Sequence, residues 1–327
     1  MPSDVPNDAR LLLLDRHAVE PLLQPNDVLN AVREAFVLHS RRQGRMFPVV
    51  REALPGGAIF GIKAGDVAEQ GLLGFKAAGF WPANRQRGGE PHQATVVLID
   101  PASGRPLCIV DGNAITTART GAAGALGLQT LARADSTHAC VFGTGVQAQV
   151  QLAFALRALP SLRVVRYVSA RRTPDAAFEA RFQVRCQLIC ATDADTAVAV
   201  SDLVITATPG KGALFAADAV RPGTHLNCVG ADTQGKRELP PGLLERVRLV
   251  VDDHDQARRI GESQWAPGLP SLELGDLLTG SATLHRQHDD ITLFDMTGLA
   301  LQDLTVARLV HQRAMALGTG TSIPWTW

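Results

Sequence analysis

The chain reads as an α/β protein in which a doubly wound parallel sheet occupies the second half and an α+β domain is built mainly from the first. Three observations carry this. Beyond about Ala114, short apolar runs alternate with amphipathic stretches, the texture of strand–helix–strand units. Residues 45–111 instead read as successive short strands broken by turn residues, the texture of an antiparallel sheet. In the second half, Val141-Phe142 runs directly into Gly143-Thr144-Gly145-Val146-Gln147-Ala148, a glycine turn that opens a helix.

In chain order, residues 26–43 place Val28, Leu29, Val32, Ala35, Phe36 and Leu38 on one helical face, with Asn26 as the expected N-cap. Strands are expected at 49–53, 58–64, 72–78, 94–99 and 106–110, with Asp100-Pro101-Ala102-Ser103-Gly104 as a hairpin turn between the last two. A small-residue helix over 115–133 leads towards the glycine turn. Further strands are expected at 139–142, 164–168, 187–190, 203–207, 225–229, 249–251 and 292–294, with helical stretches between most of them. The segment 301–317 is helical and apolar on one face, and is expected to return to the first domain, whose sheet otherwise lacks cover. The expected domains are therefore 1–113 with 300–327, and 114–299.

A chain of 327 residues can hold two domains with substantial cores. Hydrophobic residues make up 46% and charged residues 20%, with Lys+Arg at 32 against Asp+Glu at 32, so neither a polyanion-binding surface nor a disordered chain is indicated. Nucleic acid is not an expected partner. Apolar runs such as 11–14 and 95–99 fall far short of the roughly 20 residues a membrane span needs. The opening segment, 1–10, carries prolines and acids where a signal peptide needs a basic start and an apolar core, so a cytoplasmic protein is expected. Cys108, Cys140, Cys186, Cys190 and Cys228 are scattered, mostly in apolar runs, and read as buried free thiols. With no Cys-x-x-Cys pair and no His-Glu-x-x-His, no metal site is expected.

The glycine turn has a specific chemistry. Gly143 permits the tight turn, Gly145 lets backbone N–H groups approach phosphate oxygens, and Ala148 allows close helix packing, while the helix N-terminus adds partial positive charge. This is how a Rossmann fold holds a dinucleotide pyrophosphate. An acid that would take the ribose hydroxyls of NAD is missing after the second strand, which ends Val168-Ser169-Ala170-Arg171-Arg172-Thr173. Guanidinium groups there suit a 2′-phosphate, which favours NADP(H) over NAD(H). The alternative is that Arg171 and Arg172 merely start a solvated helix. Thr206-Ala207-Thr208-Pro209 ends the fourth strand, at the carboxyl edge where such sheets hold ligands, and reads either as a contact or as a plain turn.

Basic residues in the first half sit among small and apolar neighbours: Lys63 in Phe60-Gly61-Ile62-Lys63-Ala64-Gly65, Lys76 in Leu73-Gly74-Phe75-Lys76-Ala77-Ala78, and Arg119 in Ala118-Arg119-Thr120-Gly121. A desolvated cation needs an anion or a hydrogen-bonding partner. Taken with the glycine turn, Val229-Gly230-Ala231-Asp232 and Asp295-Met296-Thr297-Gly298, these segments resemble the ornithine cyclodeaminase and mu-crystallin family over nearly the whole chain.

That resemblance implies a homodimer whose first domain carries the dimer sheet and substrate pocket, with a Rossmann domain facing it across the active cleft. It implies that Arg45, Lys76 and Arg119 clamp a substrate carboxylate, with Lys63 beside them, and that Lys76 and Asp232 are catalytic, Asp232 as the proton-handling acid. The implied cofactor set is Thr120, Gly143, Thr144, Gly145, Val146 and Gln147 around the glycine turn, Ala170, Arg171 and Arg172 after the second strand, and Thr206, Thr208, Val229, Gly230, Asp232, Met296 and Gly298 on later loops. In the cyclodeaminase an acid on the strand before the lysine's strand receives the distal amine of ornithine; here Lys63 falls near that position and would repel such an amine. The expected activity is NAD(P)H-dependent reduction of a 2-imino acid, iminosuccinate or a cyclic ketimine such as 1-pyrroline-2-carboxylate or 1-piperideine-2-carboxylate, or the reverse amino-acid dehydrogenation. The alternatives are an ornithine or lysine cyclodeaminase using NAD⁺ catalytically, and a ligand-binding protein on the same scaffold.

Overall fold

The structure, a computed structural model, describes residues 9–325, so most of the opening segment on which the cytoplasmic expectation rests lies outside the described residues. The chain divides into two compact units, Met1–Arg119 with Leu299–Trp327, and Thr120–Gly298.

The first unit begins with β1 (Arg10–Leu14), a short α1 (Arg16–Val19) and α2 (Pro25–Ser40). Pro25, not Asn26, opens α2: its fixed φ suits the first helical position and its missing N–H costs nothing there, which makes Gln24 the N-cap. The strands β2 (Arg45–Met46), β3 (Val50–Leu54), β4 (Ala58–Val67), β5 (Leu72–Phe80), β6 (His92–Ile99) and β7 (Pro106–Asp111) follow. The β6–β7 turn is fixed by the Asp100 carboxylate, which accepts from Ala102 N at 3.0 Å, and by Gly104 at φ 75°. Next, α3 (Gly112–Leu131) starts in the first unit and ends in the second, the division falling between Arg119 and Thr120.

The second unit continues with β8 (His138–Phe142), α4 (Val146–Ala158), β9 (Val164–Val168), α5 (Ala176–Phe182), β10 (Gln187–Cys190), α6 (Ala194–Ala199), β11 (Leu203–Thr206) and β12 (His225–Cys228). It closes with β13 (Arg248–Val251), α7 (His254–Ile260), β14 (Leu272–Glu273), α8 (Leu274–Thr279) and β15 (Thr292–Asp295). The chain then returns to the first unit as α9 (Ala300–Leu317) and β16 (Thr321–Pro324).

In the first unit the sheet order is β16-β1-β7-β6-β5-β4-β2, with β3 also on β4, and every pairing is antiparallel except β1 with β7. Residues opposite one another share a face, so the register Lys63↔Lys76↔Val96↔Val110 defines one side of the sheet. Helix α9 covers that side, close enough that a Cβ on Gly74 would lie 3.0 Å from Leu304 Cδ2. The other side carries Ile62, Phe75, Ala77, Val97 and Ile109, all only half-buried.

All strands of the second unit are parallel, in the order β10-β9-β8-β11-β12-β15-β13-β14. Both faces are buried: along β8, Cys140 and Phe142 enter one core while Ala139 and Val141 enter the other. This explains why such strands read as unbroken apolar runs. Between β8 and β11 the strand order reverses, which places a topological switch point beside the glycine turn. The cysteines are free, all buried but the half-buried Cys190. Among the described residues no helix is long and apolar enough to cross a membrane.

Candidate functional site

Two sets of residues, one in each unit, are the candidates for the chemistry. In the first unit Lys76 lies mid-strand on β5 and is 5% exposed. Its Nζ stands 2.8 Å from both carboxylate oxygens of Asp303 and 3.3 Å from Thr116 Oγ1. Arg119, three residues after Thr116 on α3, donates from Nε to Asp303 Oδ1 at 3.0 Å and from Nη1 to Gln302 Oε1 at 3.2 Å. Asp303 is fully buried in the first turn of α9, where the helix dipole favours an acid.

Burial drives the Lys76 ammonium down to about 7; Asp303 opposes that shift, whereas Arg119 and Lys63 add to it. Burial alone would raise the Asp303 carboxyl, but Lys76 and Arg119 outweigh it and hold the group below its ordinary range. One carboxylate therefore answers Lys76 and Arg119, with Lys63 adding to the same positive field. Sequence reasoning missed Asp303. The available signal was an acid placed among Leu301, Leu304, Val306 and Ala307, on a helix otherwise buried there.

Arg45 does not join this group. Its register partner is Asp66, three residues from Lys63 and so on the opposite side of β4. There Arg45 Nε donates to Asp66 Oδ1 at 2.8 Å and Nη2 pairs with Oδ2, leaving the Arg45 side chain 71% exposed. The arginine hydrogen bond holds the Asp66 carboxyl below its usual value. Arg51 on β3, not Arg45, lies on the Lys63 and Lys76 side: it stands opposite Gly61, and a Cβ on Gly61 would lie 3.2 Å from Arg51 Cδ.

In the second unit Gly143 holds φ 98°, and a Cβ there would lie 2.8 Å from Ala207 O. Gly145 is the N-cap of α4 with no side-chain cap bond, and a Cβ there would meet no atom within 4 Å. Ala148 is fully buried. Gln147 Oε1 is a buried acceptor with no hydrogen-bond partner among the described residues. Val146 is 51% exposed, the Thr144 carbonyl accepts from Gln149 Nε2, and the Thr120 carbonyl accepts from Gln151 Nε2 at 2.7 Å.

After β9, Ala170 and Arg171 are exposed, while Arg172, at φ 54°, donates from Nη1 to Thr192 O at 2.7 Å. Arg172 is thus engaged by its own unit. Thr206 is fully buried inside the sheet, which withdraws it from the candidate contacts; Thr208, half-buried, remains. Met296 and Gly298 are buried, and Val229 and Gly230 half-buried. Asp232 lies in the loop after β12, where Oδ1 accepts from Lys236 Nζ at 2.7 Å and Thr233 Oγ1 at 3.1 Å. It caps no helix, since a turn follows it. Glu238, in the same loop and fully buried, was not singled out by sequence; its bonds reach both Thr208 and Gly230.

With this geometry in hand, a model of the ornithine cyclodeaminase/mu-crystallin family matches residues 10–318. Alanine dehydrogenase of Archaeoglobus fulgidus is 32% identical over 319 residues, covering 95% of this chain and 98% of that protein. Iminosuccinate reductase of Paracoccus denitrificans is 32% identical over 324 residues, covering 96% and 99%. Among solved structures, an archaeal alanine dehydrogenase dimer with bound NAD matches with a TM-score of 0.90 at 30% identity, covering 97% of this chain and all of that one.

Proposed function

The chain belongs to the ornithine cyclodeaminase/mu-crystallin family and is an enzyme of it, and from that premise we propose that it is an NAD(P)H-dependent oxidoreductase acting on the C=N bond of a 2-imino acid. Iminosuccinate or a cyclic ketimine carboxylate is the substrate class, and amino-acid dehydrogenation the reverse reaction. The carrying observation is the buried Lys76–Arg119 pair, which shares the single acid Asp303 on a face that also bears Lys63 and Arg51. Two buried cations against one buried acid leave a positive charge that suits a guest carboxylate.

The residues around the glycine turn fit a dinucleotide. Gly145 leaves room for phosphate against the amides of α4, and Gln147 Oε1 offers a buried acceptor still without a donor. When bound, the reduced nicotinamide supplies the hydride equivalent. Arg119, Lys76 and Arg51 hold the carboxylate and so fix the adjoining C=N carbon. Asp232 delivers or removes the proton on nitrogen. Lys76, with its ammonium brought to about 7, both binds the carboxylate and can release a proton near neutrality. Arg171 is the residue best suited to a 2′-phosphate, since Arg172 is engaged with Thr192. A second copy of the chain would cover the half-buried apolar side of the first sheet as a homodimer, and the free cysteines suit the cytoplasm.

A cyclodeaminase needs a carboxylate to receive the distal amine. The β4 acid nearest in sequence, Asp66, is held by Arg45 on the side away from Lys76, which favours the reductase reading. The test is a panel of imino acids and amino acids run with both NADH and NADPH. Oxidation of the reduced cofactor by a 2-imino acid, slowed about 10- to 100-fold in Arg119→Gln, is the expected result. Ammonia release from ornithine without net cofactor turnover would establish the cyclodeaminase instead.

A further inference from the structure

Glu238 is fully buried, and each of its hydrogen-bonding groups reaches a different part of the second unit. Oε1 accepts from Thr208 N and Thr208 Oγ1, both at 2.7 Å, in the loop after β11. Oε2 accepts from Gly230 N at 2.9 Å, in the loop after β12. The Glu238 carbonyl accepts from Leu214 N at 2.9 Å, and Glu238 N donates to Glu262 Oε1 at 2.7 Å. The fit at Gly230 is close, because a Cβ there would lie 2.4 Å from Glu238 Cδ and would have to displace that carboxylate. The junction continues inward: Glu262 N donates to Asp295 Oδ1 at 3.0 Å, and Ser263 N to Asp295 Oδ2 at 2.8 Å. From these contacts we infer that Glu238 is a positioning residue that ties the Thr208 loop to the Gly230–Asp232 loop and so sets where Asp232 stands. The inference rests on the reading above for the role of Asp232, but the tie itself does not.

A buried carboxylate can accept at both oxygens, and the two loops use both. Burial raises the Glu238 carboxyl, and the Thr206 hydroxyl together with the bonds from Thr208 and Gly230 counteracts that rise, which offsets the group's desolvation. The uncharged isostere cannot do the same. Whichever way the amide of Glu238→Gln is turned, one of the two backbone N–H groups, Thr208 or Gly230, meets an NH₂ group and loses its acceptor.

The test is residue-resolved hydrogen exchange on the protein without added cofactor, alongside steady-state kinetics. In Glu238→Gln, exchange at Thr208 or Gly230 should rise about tenfold or more, the worth of one bond to a charged group, while amides of β12 such as Leu226 keep their protection. The kcat should fall about tenfold, with the imine KM within about threefold. Thr208→Val, which removes only the hydroxyl bond, should give a smaller rise in exchange at Thr208 and serves if the first variant does not fold. Wild-type exchange at both loops in either variant would overturn the inference, as would a lowered melting temperature with kcat per folded molecule unchanged. If the wild type reduces no imine, the functional reading fails while the exchange result still decides the tie.

Discussion

Both units bury carboxylates, yet they answer them with different partners. In the first unit Asp303 meets an ammonium and a guanidinium, and stays ionised. In the second, backbone amides and hydroxyls answer the acids: Thr208 and Gly230 for Glu238, Glu262 N and Ser263 for Asp295, Thr297 N at 2.7 Å for Asp252. Burial and neighbouring acids then push Glu262 up to about 8, and burial pushes Asp295 up to about 6 despite the Ser263 bonds. Lys76 and Arg119, two buried cations against one acid, accord with the proposed guest carboxylate. Acids spent on backbone amides instead fix loops. In the proposed reading the first unit's buried cations receive the substrate carboxylate, while the second unit's buried acids hold in place the loops beside its dinucleotide turn.

The largest expected effect breaks the first arrangement. Asp303→Asn leaves Lys76 and Arg119 buried without their acid and should cost about 3–5 kcal/mol in urea unfolding. Replacing all three partners together, as Lys76→Met, Arg119→Met and Asp303→Leu, should recover much of that loss. A single-variant cost below about 1 kcal/mol would show that the pair is not desolvated as described.

Next come the arginines. Arg119→Gln and Arg51→Gln should each lower kcat/KM by about 10- to 100-fold, the worth of a hydrogen bond to a charged group. Arg45→Gln, on the other side of the sheet, should change it by less than about threefold. Equal losses at Arg45 and Arg51 would contradict the register.

The two units should also respond to pH with opposite signs. Glu262 and Asp295 titrate higher folded than unfolded, so between about pH 4 and 8 the folded state binds more protons and stability falls as pH rises. Lys76 titrates lower folded, near 7 against about 10.4 unfolded, so the unfolded state binds more protons above pH 7 and this contribution rises with pH. Melting curves across pH should flatten on the acid side in Glu262→Gln and on the alkaline side in Lys76→Met, by at most about 1.4 kcal/mol per pH unit for each group. Carboxylate binding should weaken as pH rises through about 7, where the Lys76 ammonium is lost.

The smallest effect separates two glycines of one turn. Gly143→Ala strains a φ of 98° against Ala207 O and should cost about 1–3 kcal/mol of stability. Gly145→Ala meets no neighbour, so the melting temperature should hold while dinucleotide affinity falls about tenfold in a fluorescence titration.

How far the sequence could be read follows from the range of each interaction. Strand β8 and its glycine turn were legible because both faces of the sheet are buried and the turn chemistry is local. Strands β1 and β16 were not: β1 pairs in parallel with β7 and antiparallel with β16, partners distant in sequence that no local pattern announces. The Arg45 expectation failed on parity. Arg45 and Arg51 are an even number of residues apart and regular alternation would put them on one side, but residues 47–49 are irregular and reset it. Asp303 and Glu238 were hidden because an isolated acid reads as solvated until its buried partners are known.

The most direct measurement follows isotope from cofactor to product. Reduced nicotinamide cofactor with both C4 hydrogens replaced by deuterium is incubated with a 2-imino acid, and the amino acid formed is analysed by mass spectrometry and proton NMR. Deuterium on the α-carbon, accumulating about 10- to 100-fold more slowly in Arg119→Gln, is the expected result. An unlabelled α-carbon, or ammonia from ornithine with the cofactor's label retained, would contradict the reductase reading.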